Sequence, residues 1–173
     1  MKMVFIYGST LAMFALAACA KHTTSSAGGD ASETYVAFAS AFAPFRTWMH
    51  YTDNLVDTDG SLPTGVAGMR DQYINTLPNT GSTEFPVGTI IVEVRADGKI
   101  FANVKRGGDF NSAGCLNWEF FELTENPVTI TWRGLGPPIG DTYGGDPNGC
   151  NDCHTMCAIN DYICSPKLQL ASF

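Results

Sequence analysis

The twenty residues "GTIIVEVRADGKIFANVKRG", Gly88 to Gly107, decide the fold class. Two runs rich in β-branched residues, Thr89 to Arg95 and Ile100 to Lys105, flank an Asp97-Gly98 pair. Asp-Gly suits the positive φ angles of a tight hairpin turn, so the stretch reads as two antiparallel strands. On strand alternation Ile90, Val92 and Val94 share one face, while Thr89, Ile91 and Glu93 share the other.

Working outward, "WEFFEL" (Trp118 to Leu123) and "VTITWR" (Val128 to Arg133) read as two more strands. In the last, Val128, Ile130 and Trp132 alternate with Thr129, Thr131 and Arg133, which predicts one buried and one wet face. Upstream, "SETYVAFASAFAPFRTWMHY" carries Tyr35, Phe38, Phe42, Phe45 and Met49 at steps of three and four, the spacing of one helical face. Ser32 is its expected N-cap, and Pro44 kinks or ends its first segment. The aromatic stripe reads as core. Downstream, the Gly- and Pro-rich "GLGPPIGDTYGGDPNG" is a loop that leads into a cysteine cluster.

That cluster is "GCNDCHTMCAINDYIC", Gly149 to Cys164, with four of the six cysteines of the chain. Within it Cys150-Asn151-Asp152-Cys153-His154 is C-x-x-C-H, the spacing of c-type haem attachment. Two thiols two residues apart reach the two vinyl groups of a haem, and the next residue offers an imidazole to the iron. Cys150 and Cys153 are thus the expected thioether cysteines and His154 the expected axial ligand. The rival chemistries fit less well. Zinc sites usually pair their cysteines in two separated knuckles, whereas Cys150, Cys153, Cys157 and Cys164 form one run. Iron–sulfur clusters use other spacings, and a thioredoxin-like C-x-x-C belongs in a βαβ setting. Disulfides alone give His154 no role. With two thiols assigned to haem, Cys115, Cys157 and Cys164 remain, and one disulfide among them leaves three pairings open.

The N-terminus points to export. Lys2 precedes an apolar run to Ala18, too short for a comfortable membrane span and suited to a signal peptide. Its end, Leu16-Ala17-Ala18-Cys19, looks like a bacterial lipobox, with Cys19 as the lipidation site. An ordinary signal peptide cleaved near Ala20, or a membrane helix, is the competing reading. The expected organisation is a lipoprotein signal peptide over 1–18, a flexible Ser/Thr/Gly-rich tether over 19–33 that includes His22, and one domain over 34–173. The protein is then an extracytoplasmic lipoprotein, held on the periplasmic side of a bacterial membrane by its anchor only. The net charge of −7 and pI near 4.7 argue against a nucleic-acid partner and suit a basic electron partner such as a small cytochrome.

Four pieces in order, "MRDQYIN" (Met69 to Asn75), "FPVGTIIVE" (Phe85 to Glu93), "FANVKRGGDFNSAGCLNWEFFEL" (Phe101 to Leu123) and the C-x-x-C-H segment with its following Asn-Asp-Tyr-Ile, resemble the cytochrome P-460 and cytochrome c′-beta family over nearly the whole domain. The resemblance implies an α+β fold, mostly an antiparallel β-sheet meander with an N-terminal helix and a short C-terminal haem-attachment helix or loop. It implies one covalent haem c, often a homodimer, and a small nitrogen ligand or substrate. P-460 members oxidise hydroxylamine; c′-beta members bind nitric oxide or carbon monoxide at five-coordinate iron. In the hydroxylamine-oxidising members a strand lysine cross-links to the haem, and that position here is Glu93. Lys105, on the neighbouring strand, is the only nearby lysine with a claim to that role, and the resemblance makes it an ordinary strand lysine. Hydroxylamine oxidoreductase activity is therefore in doubt on this sequence.

Glu93 reads either as a surface glutamate on a wet strand face or as a distal carboxylate that exchanges protons with a bound ligand. Arg70, by family position, either lines the same pocket or makes a surface salt bridge. His50, Met49, Met69 and Met156 are the candidate sixth ligands. None is convincingly placed, which favours an open iron. The alternatives are a six-coordinate electron-transfer cytochrome c and a disulfide-stapled surface lipoprotein without haem.

Overall fold

The computed structural model describes residues 33–57, 67–137 and 149–173. The expected signal peptide, with Cys19, and most of the expected tether, with His22, lie outside the described residues, as does most of the Gly/Pro-rich loop. Among the described residues no helix is long and apolar enough to cross a membrane.

The chain forms an α+β fold around one antiparallel sheet of six strands, paired in sequence order. They are β1 (Met49–Leu55), β2 (Gly68–Ile74), β3 (Ile90–Arg95), β4 (Ile100–Lys105), β5 (Trp118–Thr124) and β6 (Thr129–Gly134). The quoted hairpin is β3–β4, with Val94 opposite Ile100 and Val92 opposite Ala102. Only Gly98 takes a positive φ in its turn, at 82°, while the Arg95 N–H bonds the Lys99 carbonyl. The connection is therefore a turn closed by a left-handed glycine, not a two-residue turn with both central residues at positive φ.

Each face of the sheet carries its own core. Phe42 and Phe45 of the N-terminal segment cover Ile90, Val92, Ala102, Val104, Phe121 and Leu123. The C-terminal segment covers the other face, where Ile163, Leu168 and Leu170 pack with Ile91, Trp118, Phe120 and Trp132. The sheet is thus sandwiched, and β3 is apolar on both faces except at Glu93 and Arg95.

Two expectations change here. The N-terminal aromatic stripe is not one helix. Helix α1 spans only Ala39–Phe42, a 3-10 turn covers Phe45–Thr47, and Met49 already belongs to β1. Tertiary pairing overrides helical spacing: Thr34 bridges to Gly107, and the Tyr35 N–H bonds the Arg106 carbonyl at 2.8 Å, which draws this stretch out along the sheet. Pro44 has no N–H with which to continue a helix, and Phe38 is left 66% exposed. The single buried face expected of β6 is also divided. The β5–β6 register shifts at Glu122/Leu123, so that Trp132 packs with the C-terminal segment while Val128 and Ile130 pack with the N-terminal one. An extra residue in one strand reverses the faces beyond it.

Candidate functional site

The C-x-x-C-H motif lies on helix α2 (Gly149–Thr155), against the sheet face that carries Ile91, Phe101 and Phe120. Between helix and sheet is a cavity of about 480 Å³, within the size range of cofactor sites. Cys150, Cys153 and His154 form one wall, and Arg70, Gln72, Glu93, Phe101, Phe120 and Trp132 contribute to the other. All six strands reach it or support it, which is why no single stretch of sequence announces it.

Asn151, inside the motif, docks the helix. Its Oδ1 accepts from the Cys115 N–H at 3.1 Å and from Asn111 Nδ2 at 2.8 Å. Gly114 makes room for it, since a Cβ there would stand 2.5 Å from the Asn151 side chain. Among the described residues the motif thiols Cys150 and Cys153 are free, as is Cys115, while Cys157 and Cys164 form a disulfide. That bridge settles the open pairing and takes two of the four thiols that a zinc site would need. Burial pushes the Cys150 and Cys115 thiols up to about 12, with neighbouring cysteines adding to it. Cys153 is also raised by burial, which the nearby Arg70 charge opposes. Among the described residues no group of three or more His, Cys, Asp or Glu side chains could hold a metal ion on its own.

His154 is held at one nitrogen. Its Nδ1 lies 2.6 Å from the Tyr162 carbonyl, which can only accept, so Nδ1 carries the hydrogen. Burial lowers the imidazole pKa, and the Arg70 charge lowers it further against the opposing Tyr162 bond. The ring is therefore neutral at pH 7, with its lone pair on Nε2, the form that binds a metal. Phe120 packs against it at 5.0 Å between centroids.

Tyr162 and Asp161 both adopt left-handed φ values, 65° and 49°. Lys105 Nζ reaches Asp161 at 2.6 and 2.7 Å, and Asp161 Oδ2 also accepts the Phe85 N–H. Burial pushes the Asp161 carboxyl upward, against the pull of Lys105. Lys105 is 2% exposed and fully engaged, so it is not an ordinary strand lysine.

On the sheet wall, Arg70 is buried and makes three bonds. Nη1 donates to Glu93 at 3.0 Å; Nη2 donates to Asp53 at 3.1 Å and to the Cys164 carbonyl at 2.8 Å. Its Nε has no partner among the described residues. The surface readings of Glu93 and Arg70 are therefore corrected: the face expected to be wet is roofed by the C-terminal segment. Nearby, Ser165 donates to Gln72 at 2.5 Å.

The candidate sixth ligands are not gathered. His50 is exposed, bonded to Asp71 and stacked on Tyr73 of the opposite core. Met49 and Met69 are half-exposed and do not line the cavity. Met156 lines it, but from the same segment as His154. Asp53, Gln72, Asp161 and the Tyr162 carbonyl were missed in the sequence. The alternation of Arg70, Gln72 and Ile74 in "MRDQYIN" was the signal for a strand face; nothing local marked the rest.

Compared with protein-family models, curated proteins and solved structures, the chain matches none.

Proposed function

We propose that this chain is an exported, lipid-anchored mono-haem c-type cytochrome of the P-460/c′-beta kind, with one covalent haem c and an open iron that binds small nitrogen species such as nitric oxide. The observation that carries this reading is the C-x-x-C-H helix itself, with both thiols unpaired and a neutral His154 whose Nε2 is the unprotonated nitrogen, beside a cavity between helix and sheet. These residues fit the group chemically. Cys150 and Cys153 would hold it by adding each S–H across a vinyl C=C, sulfur to one carbon and hydrogen to the other, with no oxidant consumed. His154 would be the axial ligand, oriented by Tyr162. Bound there, the iron supplies an open coordination position for a small ligand.

Of the chain's own residues, Arg70 and Glu93 would form the polar part of the distal wall, with Phe101, Phe120 and Trp132 excluding water. The scattering of His50, Met49 and Met69 away from the cavity favours the open iron over a six-coordinate electron-transfer cytochrome. Glu93 in the cross-linking position, and Lys105 committed to Asp161, favour ligand binding over hydroxylamine oxidation.

The test is the absorption spectrum of the domain made in a host that matures c-type cytochromes, recorded oxidised, reduced and reduced with carbon monoxide. A Soret band that survives denaturation and is lost in Cys150→Ser/Cys153→Ser, with a carbon monoxide shift, is expected. A haem spectrum indifferent to carbon monoxide would return the electron-transfer reading, and no haem would leave a disulfide-stapled lipoprotein.

A further inference from the structure

We propose that Lys105 is a positioning residue for His154, acting through Asp161 and the Tyr162 carbonyl. The inference rests on the haem reading above for its consequence at the iron, while the chain of contacts belongs to the polypeptide itself. His154 Nδ1 lies 2.6 Å from the Tyr162 carbonyl. That bond fixes the direction of the ring and keeps the lone pair on Nε2. The carbonyl owes its place to two consecutive residues with left-handed backbone, Asp161 at φ 49° and Tyr162 at φ 65°. Aspartate visits that region readily and tyrosine does not, so the surroundings must hold the turn in shape.

The holding contacts converge on Asp161. Its two carboxylate oxygens accept from Lys105 Nζ at 2.6 and 2.7 Å, and Oδ2 also accepts the Phe85 N–H at 2.9 Å. Glu84, the other carboxylate near Lys105, is half-exposed and stands farther off, at 3.5 Å. The remaining bonds of the turn are local: the Tyr162 N–H reaches the Cys157 carbonyl at 3.0 Å, and the Ile163 N–H reaches that of Asn160 at 3.1 Å. The Asp161 carboxylate ties this turn to β4 and to the segment before β3. Lys105, at the end of a paired strand, thus fixes the residue next to the carbonyl. Without the clasp, the carbonyl would draw away from Nδ1. The imidazole could then turn, and its N–H could exchange between the two nitrogens. With haem attached, Nε2 would be a weaker and less well-aimed donor to the iron, because a bonded Nδ1–H makes the ligating nitrogen more basic.

The test compares wild type with Lys105→Met/Asp161→Asn. The double variant removes the clasp without stranding a buried charge, and asparagine keeps both the Phe85 acceptor and the tolerance for left-handed backbone. Two readouts report on His154 and not on stability. In the haem-free full chain labelled with 15N-histidine, ring-nitrogen shifts at pH 8, where imidazole is neutral, give the tautomer. His22→Gln and His50→Gln assign the signals of the three histidines. In the haem-loaded reduced protein, resonance Raman gives the iron–histidine stretch. Wild type is expected to show the Nδ1–H form alone and one stretching band. The double variant should show both tautomers and a band that is lowered or split. Lys105→Gln, which leaves a shorter donor facing Asp161, is expected to shift both readouts in the same direction and replaces the double variant if that fails to fold. A folded variant with the wild-type tautomer and an unchanged band overturns the proposal, and so does a wild type in which His154 carries its hydrogen on Nε2. A wild-type chain without covalent haem overturns the haem reading, and the tautomer then decides the role of Lys105 by itself.

Discussion

Lys105 Nζ lies 2.6 and 2.7 Å from the two carboxylate oxygens of Asp161, and both side chains are buried. The pair ties the end of β4 to the loop after α2, one residue before the carbonyl that fixes His154. Trp118 lies beside it, 5.3 Å from the ammonium to the ring centre. A strand lysine thereby takes a place in the architecture of the cysteine site.

Lys105→Met should remove the cation and strand a buried carboxylate, which costs about 3–5 kcal/mol. Adding Asp161→Asn should recover much of the loss. Asparagine still accepts the Phe85 N–H and tolerates the left-handed backbone. Urea unfolding of the wild type, both single variants and the double variant measures the coupling. A double variant as unstable as Lys105→Met alone would mean that packing of the lysine stem, not its charge, holds the loop.

Gly107 has φ of +73°, and a Cβ there would stand 2.2 Å from the Glu33 carbonyl oxygen and 2.9 Å from Val87 Cγ2. Gly107→Ala should therefore cost at least about 1–3 kcal/mol through backbone strain alone. The damage should appear first as faster hydrogen exchange at the Tyr35 amide, which bonds the Arg106 carbonyl. A drop in melting temperature with Tyr35 still protected would place the strain elsewhere.

What the sequence disclosed follows the range over which each pattern acts. The β3–β4 hairpin and the C-x-x-C-H motif were legible because alternation, a turn glycine and thiol spacing are local. β1 and β2 were not read as strands, because "MHYTDNL" and "GMRDQYI" place polar residues on both faces: His50, Thr52 and Asp71 bond one another on one side, while Asp53 and Arg70 pair on the other. The face of Glu93 was legible, yet its burial stayed open between a wet surface and a pocket, since the roof is a segment some sixty residues farther on. The bulge that divides Ile130 from Trp132 is a property of pairing with β5, and β6 alone does not encode it.

Arg46 donates to both oxygens of Glu125, at 2.9 and 2.8 Å, and the bond holds the Glu125 carboxyl below its ordinary range. Asp71 is lowered too, first by His50 and then by Thr52. For a carboxyl whose folded pKa is depressed, the stabilisation is present above the unfolded value near 4 and is lost as pH falls through the folded value. Stability should decline on acidification below about pH 5. Glu125→Gln should flatten that decline by no more than about 1 kcal/mol, because the pair is partly solvated. Unfolding curves at successive pH values read this directly, and parallel declines in wild type and variant would remove Glu125 from the account.

Burial holds the Cys150 and Cys115 thiols at about 12, so that at pH 8 only about one molecule in ten thousand presents a given thiolate. In the haem-free chain, iodoacetamide should modify both at least about tenfold more slowly than it does after unfolding. Cys153 is less buried and has the Arg70 charge nearby, so it should react before Cys150. Without reductant, Cys157 and Cys164 should be recovered by peptide mass spectrometry as one cross-linked species. Rapid modification of Cys150 would mean that its thiol faces solvent instead of the cavity, and the haem proposal would lose the buried thiol on which it depends.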